Sequence, residues 1–120
     1  MIRAIRGAVQ LSADEKEIIK EKVSVIIDKM IADNSIDKEN IVSIVFTVTD
    51  DIKSMNPAAA LRSCGSFELI PLFCAKEPDV EGALPLTIRI LLTTECNLSQ
   101  SEVKHVYMDG AKKLRPDLEK

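Results

Sequence analysis

Aromatic and histidine side chains are scarce in this sequence. Only 3% of its residues are aromatic, tryptophan is absent, and histidine occurs once, as His105. So few rings argue against stacking on single-stranded nucleic acid, and a formal net charge of −3 provides no phosphate-tracking face. One histidine does not make a Ser-His-Asp triad or a histidine-based metal site. We therefore interpret His105 as a structural residue.

Targeting and cross-linking signals are also missing. Arg3 and Arg6 interrupt the N-terminus before a signal-peptide core could form, and no apolar run approaches the ~18 residues of a membrane span. The three cysteines, Cys64, Cys74 and Cys96, lack C-x-x-C spacing, which argues against disulfides and zinc. No glycine-rich phosphate loop is present. We expect a cytoplasmic protein without metal or cofactor, and without nucleic acid or membrane as a partner.

What remains is the composition of one globular domain. Hydrophobic residues make up 46% and charged residues 29% of the chain, which is typical of a folded protein. A length of 120 residues fits a single domain over 1–120. Strand and helix patterns follow one another without strict alternation, and this favours an α+β fold over a doubly wound parallel sheet.

Period-two alternation and β-branched content predict four strands. We place them at 1–8, 41–49, 69–74 and 86–94. Pro71 indicates an edge or bulge position for the third strand. In the first strand Ile2, Ala4 and Arg6 share one face, which we predict to be the apolar face, so that an arginine would lie among apolar side chains. Gly7 permits a turn or a close approach of another part of the chain. In the second strand we predict the apolar face at the even positions.

Two helices are predicted from capping signals. A capping box at Ser12–Glu15 predicts the start of a long helix, and Asn34 is a plausible end for its apolar stripe. Asn56 and Pro57 predict the N-cap and first turn of a short helix that runs to Cys64. The segment after Ser99 has no clear period, so helix and strand both remain open there.

The placement of arginines is the clearest chemical signal. Arg6 and Arg89 lie within predicted strands, whereas the lysines lie mostly on predicted helices and loops. Guanidinium groups stay charged when buried and bind carboxylates through two hydrogen bonds, so this pair predicts an anion site. Pairing with acidic side chains for structure alone is the alternative. Cys74 ends a predicted strand and Glu77 follows it, where catalytic groups are common, although a free cysteine is also typical of a core.

Three separated motifs resemble the AroH-type monofunctional chorismate mutases. The family's opening is similar to IRAIRGA at 2–8, and its central motif to C-x-x-E-x-D-V-x-G-x-L-x-x-x-I-R at 74–89. The closing motifs resemble HVY at 105–107 and LRPDL at 114–118. The resemblance covers nearly the whole chain with the motifs in order.

The resemblance implies a mixed β-sheet packed with two helices per subunit, in a trimeric pseudo-barrel with active sites between subunits. It implies a short helical turn at Ser99 and a strand through Tyr107. The implied activity is the cofactor-free [3,3] Claisen rearrangement of chorismate to prephenate in phenylalanine and tyrosine biosynthesis. That reaction requires a compact substrate conformation and a positive donor at the ether oxygen.

Site residues are carried over from the resemblance position by position. Arg89 matches the donor to the ether oxygen, Arg6 the residue that binds a substrate carboxylate, and Glu77 the acceptor from the ring hydroxyl. The other expected substrate-binding residues are Cys74 and Phe73 beside Glu77, Tyr107 against the substrate, Arg62 at the opening, and Leu114 with Arg115 in the tail.

Two positions depart from the family pattern: Asn56 replaces a frequent phenylalanine and Ala59 a frequent lysine. The resemblance therefore lacks one apolar wall and one positive charge, which bears on substrate affinity more than on the chemistry. A trimeric module that binds carboxylates without rearranging them, and a scaffold without a ligand, are the competing functions. The feature that distinguishes the enzyme from a simple anion sensor is Glu77, with Cys74, facing Arg89. A simple anion sensor does not need a carboxylate in its anion site.

Overall fold

The structure is a computed structural model and describes residues 1–114. Within this range, five strands and two α-helices follow one another. They are β1 (Ile2–Gln10), α1 (Lys16–Asp33), β2 (Ile41–Val48), α2 (Pro57–Arg62), β3 (Leu72–Lys76), β4 (Thr87–Glu95) and β5 (Val106–Met108). Short 3-10 turns occupy Lys38–Asn40 and Asp109–Lys113. Arg115 lies outside the described residues.

The five strands form one mixed sheet in the order β3-β2-β4-β1-β5. β4 is antiparallel to both β1 and β2, whereas β3 is parallel to β2 and β5 is parallel to β1. The predicted α+β fold with a mixed sheet and two helices is therefore confirmed. β3 lies at an edge, as Pro71 indicated, and the Pro71 carbonyl accepts from the Ile44 N–H at 3.0 Å.

Both helices cover the same face of this sheet. The apolar stripe of α1 is fully buried and consists of Ile19, Val23, Ile26, Ile27 and Met30. It belongs to one core cluster with sheet residues such as Ile5, Phe46 and Leu92, and with Leu61 of α2. Each such side chain contributes about 1.5–3 kcal/mol through burial. The opposite side of the sheet, here called the open face, carries no helix in the described residues.

The predicted capping box is wrong. α1 begins at Lys16 with Glu15 as its N-cap, and no side chain caps it. The carboxylate of Asp14 instead accepts from the backbone N–H groups of Lys53 and Ser54, both at 3.0 Å. These bonds, led by the one from Ser54, lower the pKa of Asp14. The box fails because it requires Glu15 at the third helical position, whereas Glu15 precedes the first residue of α1. Asn34 is the C-cap, as predicted.

The apolar side of β1 was assigned to the wrong face. The strand continues to Gln10, and its core-facing residues are Ile5, Gly7 and Val9, while Arg6 lies on the open face. Gly7 does not turn the chain but allows a close approach, since a Cβ there would lie 2.6 Å from Met30 Sδ.

An irregularity at Ile41–Ser43 changes the face pattern at the start of β2. The register shifts between Ile41 and Ser43, so Ile41 is buried and Val42 is 44% exposed. The even positions Ile44 and Phe46 do face the core, as predicted. A bulge of this kind leaves no mark in hydrophobic alternation.

The remaining boundaries differ by a few residues. Asn56 caps α2 as predicted, because its Oδ1 accepts from the Ala58 N–H at 2.8 Å, but the helix ends at Arg62 rather than Cys64. The segment at Ser99 is a turn, and the strand through Tyr107 is β5. Within residues 1–114, none of the helices combines the length and apolar character needed to cross a bilayer.

Candidate active site

Side chains of β5, β1, β4 and β2 converge on the open face. The strand register places Tyr107 beside Ala8, Ala8 beside Arg89, and Arg89 beside Thr47. Arg6, two residues before Ala8, lies on the same face by the period of the strand. A concavity of about 290 Å³ opens there, lined by Arg6, Gly7, Ala8, Val45, Thr47, Arg89, Ile90, Leu91 and Tyr107. The two strand arginines predicted from the sequence therefore share one apolar-walled pocket.

Glu77 lies beside this pocket, in the loop that follows β3, and contacts the lining residues Thr47 and Arg89. Its backbone N–H donates to the Val48 carbonyl at 2.8 Å, which extends the pairing of β3 with β2 by one residue. Its Oε1 lies 3.2 Å from Arg89 Nε and accepts from Thr47 Oγ1 at 2.5 Å. The side chain of Glu77 is 20% exposed and that of Arg89 is 46% exposed. The structure thus brings Glu77 and Arg89 together as the resemblance implies.

Arg6 is anchored through its backbone rather than its guanidinium. The Arg6 N–H donates to Nδ1 of His105 at 2.9 Å. Since Nδ1 accepts a hydrogen bond, it does not carry a proton in this contact. His105 thereby ties the segment before β5 to β1, a structural role consistent with our interpretation of the sequence. Among residues 1–114 no carboxylate forms an ion pair with Arg6.

Cys74 lies on the other side of the sheet from this pocket. Its register partner is the buried Phe46, and its side chain packs against the core. Burial raises the pKa of the Cys74 thiol, so it is protonated and weakly nucleophilic at neutral pH. Phe73, its neighbour in β3, points to the open face beside Val45 and is 66% exposed. Of these two expected substrate contacts, only Phe73 lies on the face of the pocket.

Arg62 and Leu114 do not line the pocket in this chain. Arg62 is exposed in the last turn of α2, and α2 packs on the helix-covered side of the sheet. Leu114 follows the 3-10 turn after β5, where its N–H donates to the Ala111 carbonyl at 3.0 Å. Asn56, which departs from the family pattern, serves as the N-cap of α2, so polarity at this position has a structural reason. Ala59 is half-buried in the same helix.

Sequence reasoning missed Thr47, Val45 and Leu91. All three lie on the open face, and Leu91 is the register partner of both Arg6 and Val45. Their only signal was the odd-position face of β2 and β4, which could not be recognised as a site without the strand order. Within the described residues, no group of three or more histidine, cysteine or acidic side chains is placed to hold a metal.

The geometry defines what this pocket can do. It offers two guanidinium groups for anionic oxygens, one carboxylate that can accept from a hydroxyl, and apolar walls from Val45, Leu91 and Tyr107. Anionic oxygens are bound well by arginine, and carboxylate oxygens accept hydrogen bonds from hydroxyl groups. Such a site can hold a small molecule that carries anionic oxygens and a hydroxyl.

Comparisons with known proteins agree with this chemistry. The family model for chorismate mutase type I matches residues 2–118. Chorismate mutase AroH of Thermus thermophilus is 40% identical over 120 residues, covering 99% of this chain and 98% of the relative. Chorismate mutase AroH of Bacillus subtilis strain 168 is 35% identical over 118 residues, covering 98% and 93%.

A solved structure extends the agreement to the fold. The chorismate mutase of Clostridium thermocellum superposes with a TM-score of 0.88 at 34% identity, covering 92% of this chain and 98% of that one. Both curated relatives carry the name chorismate mutase AroH, and the match to this chain covers nearly their full length. This chain belongs to the chorismate mutase type I family.

Proposed function

We propose that the open-face pocket performs the chorismate mutase reaction of this family, the rearrangement of chorismate to prephenate. The observation that carries the assignment is the convergence of Arg6 and Arg89 in one pocket, with Glu77 held on Arg89. The rearrangement breaks a C–O bond and forms a C–C bond within one molecule. It therefore needs neither a nucleophile nor a cofactor, and what it needs is orientation and charge stabilisation.

Arg89 is the proposed donor to the ether oxygen. Negative charge develops on this oxygen as the C–O bond lengthens, and a fixed cation stabilises it more in the transition state than in the substrate. The Nε of Arg89 contacts Glu77, which leaves the two terminal nitrogens of the planar fork for the substrate. The contact with Glu77 favours an orientation of the guanidinium in which these terminal nitrogens face the substrate.

Arg6 and Glu77 are the proposed grip on the ground state. Arg6 binds a substrate carboxylate, and Glu77 accepts from the ring hydroxyl at the other side of the pocket. Holding both ends favours the compact conformation in which the enolpyruvyl arm lies over the ring. Tyr107 and Leu91 supply apolar walls that reduce the extended alternatives.

The charge of the pocket points to a contribution from a second copy of the chain. Two guanidinium groups of the lining, together with the Glu77 carboxylate that contacts one of them, leave one net positive charge at the pocket, whereas chorismate carries two negative charges. Arg62 is a candidate for the missing cation, but it lies on the helix-covered side of its own sheet. We propose that it enters the pocket of a neighbouring subunit, in a homotrimer whose subunits cover each other's open faces.

Exposed apolar side chains favour the same assembly. Ile2, Phe73 and Leu91 are all more than 40% exposed on the open face. Burying this surface against another copy is favourable at about 25 cal/mol per Å². Light scattering coupled to size exclusion measures the mass directly, and a purely monomeric mass at micromolar concentration contradicts the proposal.

The activity test is the loss of chorismate ultraviolet absorbance on adding purified protein, with prephenate identified in the products. Turnover should persist in chelator and without any nucleotide. Tight binding of chorismate with no prephenate formed would contradict the catalytic assignment and leave an anion-binding module.

A complementation experiment tests the shared site. Arg89→Ala and Arg62→Ala chains are each expected to have low activity. When they are unfolded together and reassembled at equal concentrations, about one quarter of all sites contain both arginines if each site joins two chains. Activity should then rise above that of either variant. No rise on confirmed mixing would show that the two arginines do not meet across an interface.

A further inference from the structure

We propose that Thr47 is a positioning residue that holds Glu77 in its working orientation, an inference that rests on the proposed function. Its hydroxyl donates to Oε1 of Glu77 at 2.5 Å, and the same oxygen contacts Arg89 Nε at 3.2 Å. One carboxylate oxygen is therefore held from two sides. Among residues 1–114, no hydrogen bond or ion pair reaches the second oxygen, which is left to accept from the substrate hydroxyl.

The position of Thr47 suits this task. It lies near the end of β2, between Ala75 of β3 and Arg89 of β4 in the register. A β-branched side chain in a strand has few rotamers, so its hydroxyl is a stiffer support than a residue on a loop. Glu77 needs such support because it follows the last residue of β3 and begins an exposed loop.

The contact with Arg89 cannot replace this support. Arg89 is 46% exposed, and an ion pair with a partly exposed partner is weak and tolerates many geometries. A carboxylate free to move would slide toward the terminal nitrogens of Arg89. There it would compete with the ether oxygen for the same donors. By fixing Oε1 at the Nε side, Thr47 keeps the terminal nitrogens available for the transition state.

The decisive variants remove the hydroxyl without changing the shape. Thr47→Val should lower kcat/KM by about tenfold, the scale of a hydrogen bond to a charged group, with the larger share in kcat. Thr47→Ser keeps the hydroxyl and should stay within about twofold of the unchanged protein. Thr93→Val makes the same exchange on the open face of β4, outside the pocket lining, and is the matched control.

A double-mutant cycle with Glu77→Ala separates positioning from other roles. In the Glu77→Ala background, Thr47→Val should change kcat/KM by less than about twofold, because the group that it positions is gone. An equal loss in both backgrounds overturns the proposal and indicates a direct substrate contact or a general structural role. Normal activity of Thr47→Val in an otherwise active protein also overturns it.

Two further readouts keep the outcomes distinct. If Thr47→Val does not fold by circular dichroism, Thr47→Ala carries the same expectation in the same cycle. If the unchanged protein does not convert chorismate, the proposed function itself is overturned, together with the role inferred for Thr47. If the protein is active and the effects of Thr47→Val and Glu77→Ala on kcat/KM are additive, only the positioning role of Thr47 is rejected.

Discussion

Replacement of Arg89 by alanine is the sharpest test of the proposed mechanism. The change removes the guanidinium that lies beside Thr47 in the register and 3.2 Å from Glu77 Oε1. If this cation stabilises the ether oxygen, its loss should raise the activation free energy of the reaction far more than it lowers the free energy of unfolding. Arg89→Lys keeps a charge but lacks the planar fork that contacts Glu77 and the substrate together, so it should recover only part of the rate.

The two expected magnitudes follow from the surroundings of Arg89. Losing one neutral preorganised donor costs about 3–4 kcal/mol of transition-state stabilisation, and a charged donor costs more. We therefore expect kcat to fall by at least about a thousandfold. The ion pair with Glu77 joins side chains that are 46% and 20% exposed. After solvent screening, such a pair contributes at most about 1 kcal/mol to the free energy of unfolding.

Initial rates of chorismate loss at saturating substrate measure the first quantity, and urea unfolding followed by circular dichroism measures the second. Arg3→Ala provides the matched control, because Arg3 is also a strand arginine, in β1, but does not line the pocket. Its kcat should stay within about twofold of the unchanged protein. A folded Arg89→Ala protein with a near-normal rate would refute the proposed role of Arg89.

Three further predictions test packing, thiol reactivity and pH dependence. Gly7→Ala should lower the free energy of unfolding, measured in urea, by about 1–3 kcal/mol, since the new Cβ would lie 2.6 Å from Met30 Sδ. An unchanged free energy of unfolding would show that α1 does not pack so closely against β1. With iodoacetamide at neutral pH, mass spectrometry should find the exposed Cys64 alkylated before Cys74, because burial raises the pKa of the Cys74 thiol. Alkylation of Cys74 before Cys64 would place Cys74 in an accessible site. Asp14→Asn should lower the melting temperature at pH 7, and its difference from the unchanged protein should shrink as the pH falls through the lowered pKa of Asp14. The ionised carboxylate stabilises the fold above the pKa of Asp14 in the unfolded chain, and this stabilisation is lost below its pKa in the folded protein. A difference in melting temperature that is constant with pH would exclude this cause.

Features that depend on neighbouring residues were predictable from the sequence. The cap at Asn56 is one: its side chain accepts from the Ala58 N–H, only two residues away. The buried stripe of α1 is another, since helical spacing alone determines which residues share a face. The mixed character of the fold also followed from the order of these local patterns, and the resemblance correctly implied both the sheet and the strand through Tyr107.

Features that depend on distant residues were not predictable. The capping box failed because α1 begins only after Glu15, following a segment that Asp14 ties to N–H groups about 40 residues away. Thr47 was overlooked because its link to Glu77 requires the pairing of β2 with β3, which periodicity does not reveal. Cys74 was grouped with Glu77 by sequence proximity, yet its strand places it against the core. In each case the deciding information is a register or a loop contact.

The misassigned face of β1 bears on how the pocket is completed. One side of this strand presents Ile5 and Val9 to the core, and the other presents Ile2, Ala4 and Ala8 around Arg6. A strand that is apolar on both faces is typical of a sheet that is covered on both sides, whereas the helices within residues 1–114 cover only one. Arg6 therefore looked like an arginine on the apolar side because both sides are apolar. The same surplus of apolar surface supports the proposal that a second subunit covers the open face and supplies the charge that the pocket lacks.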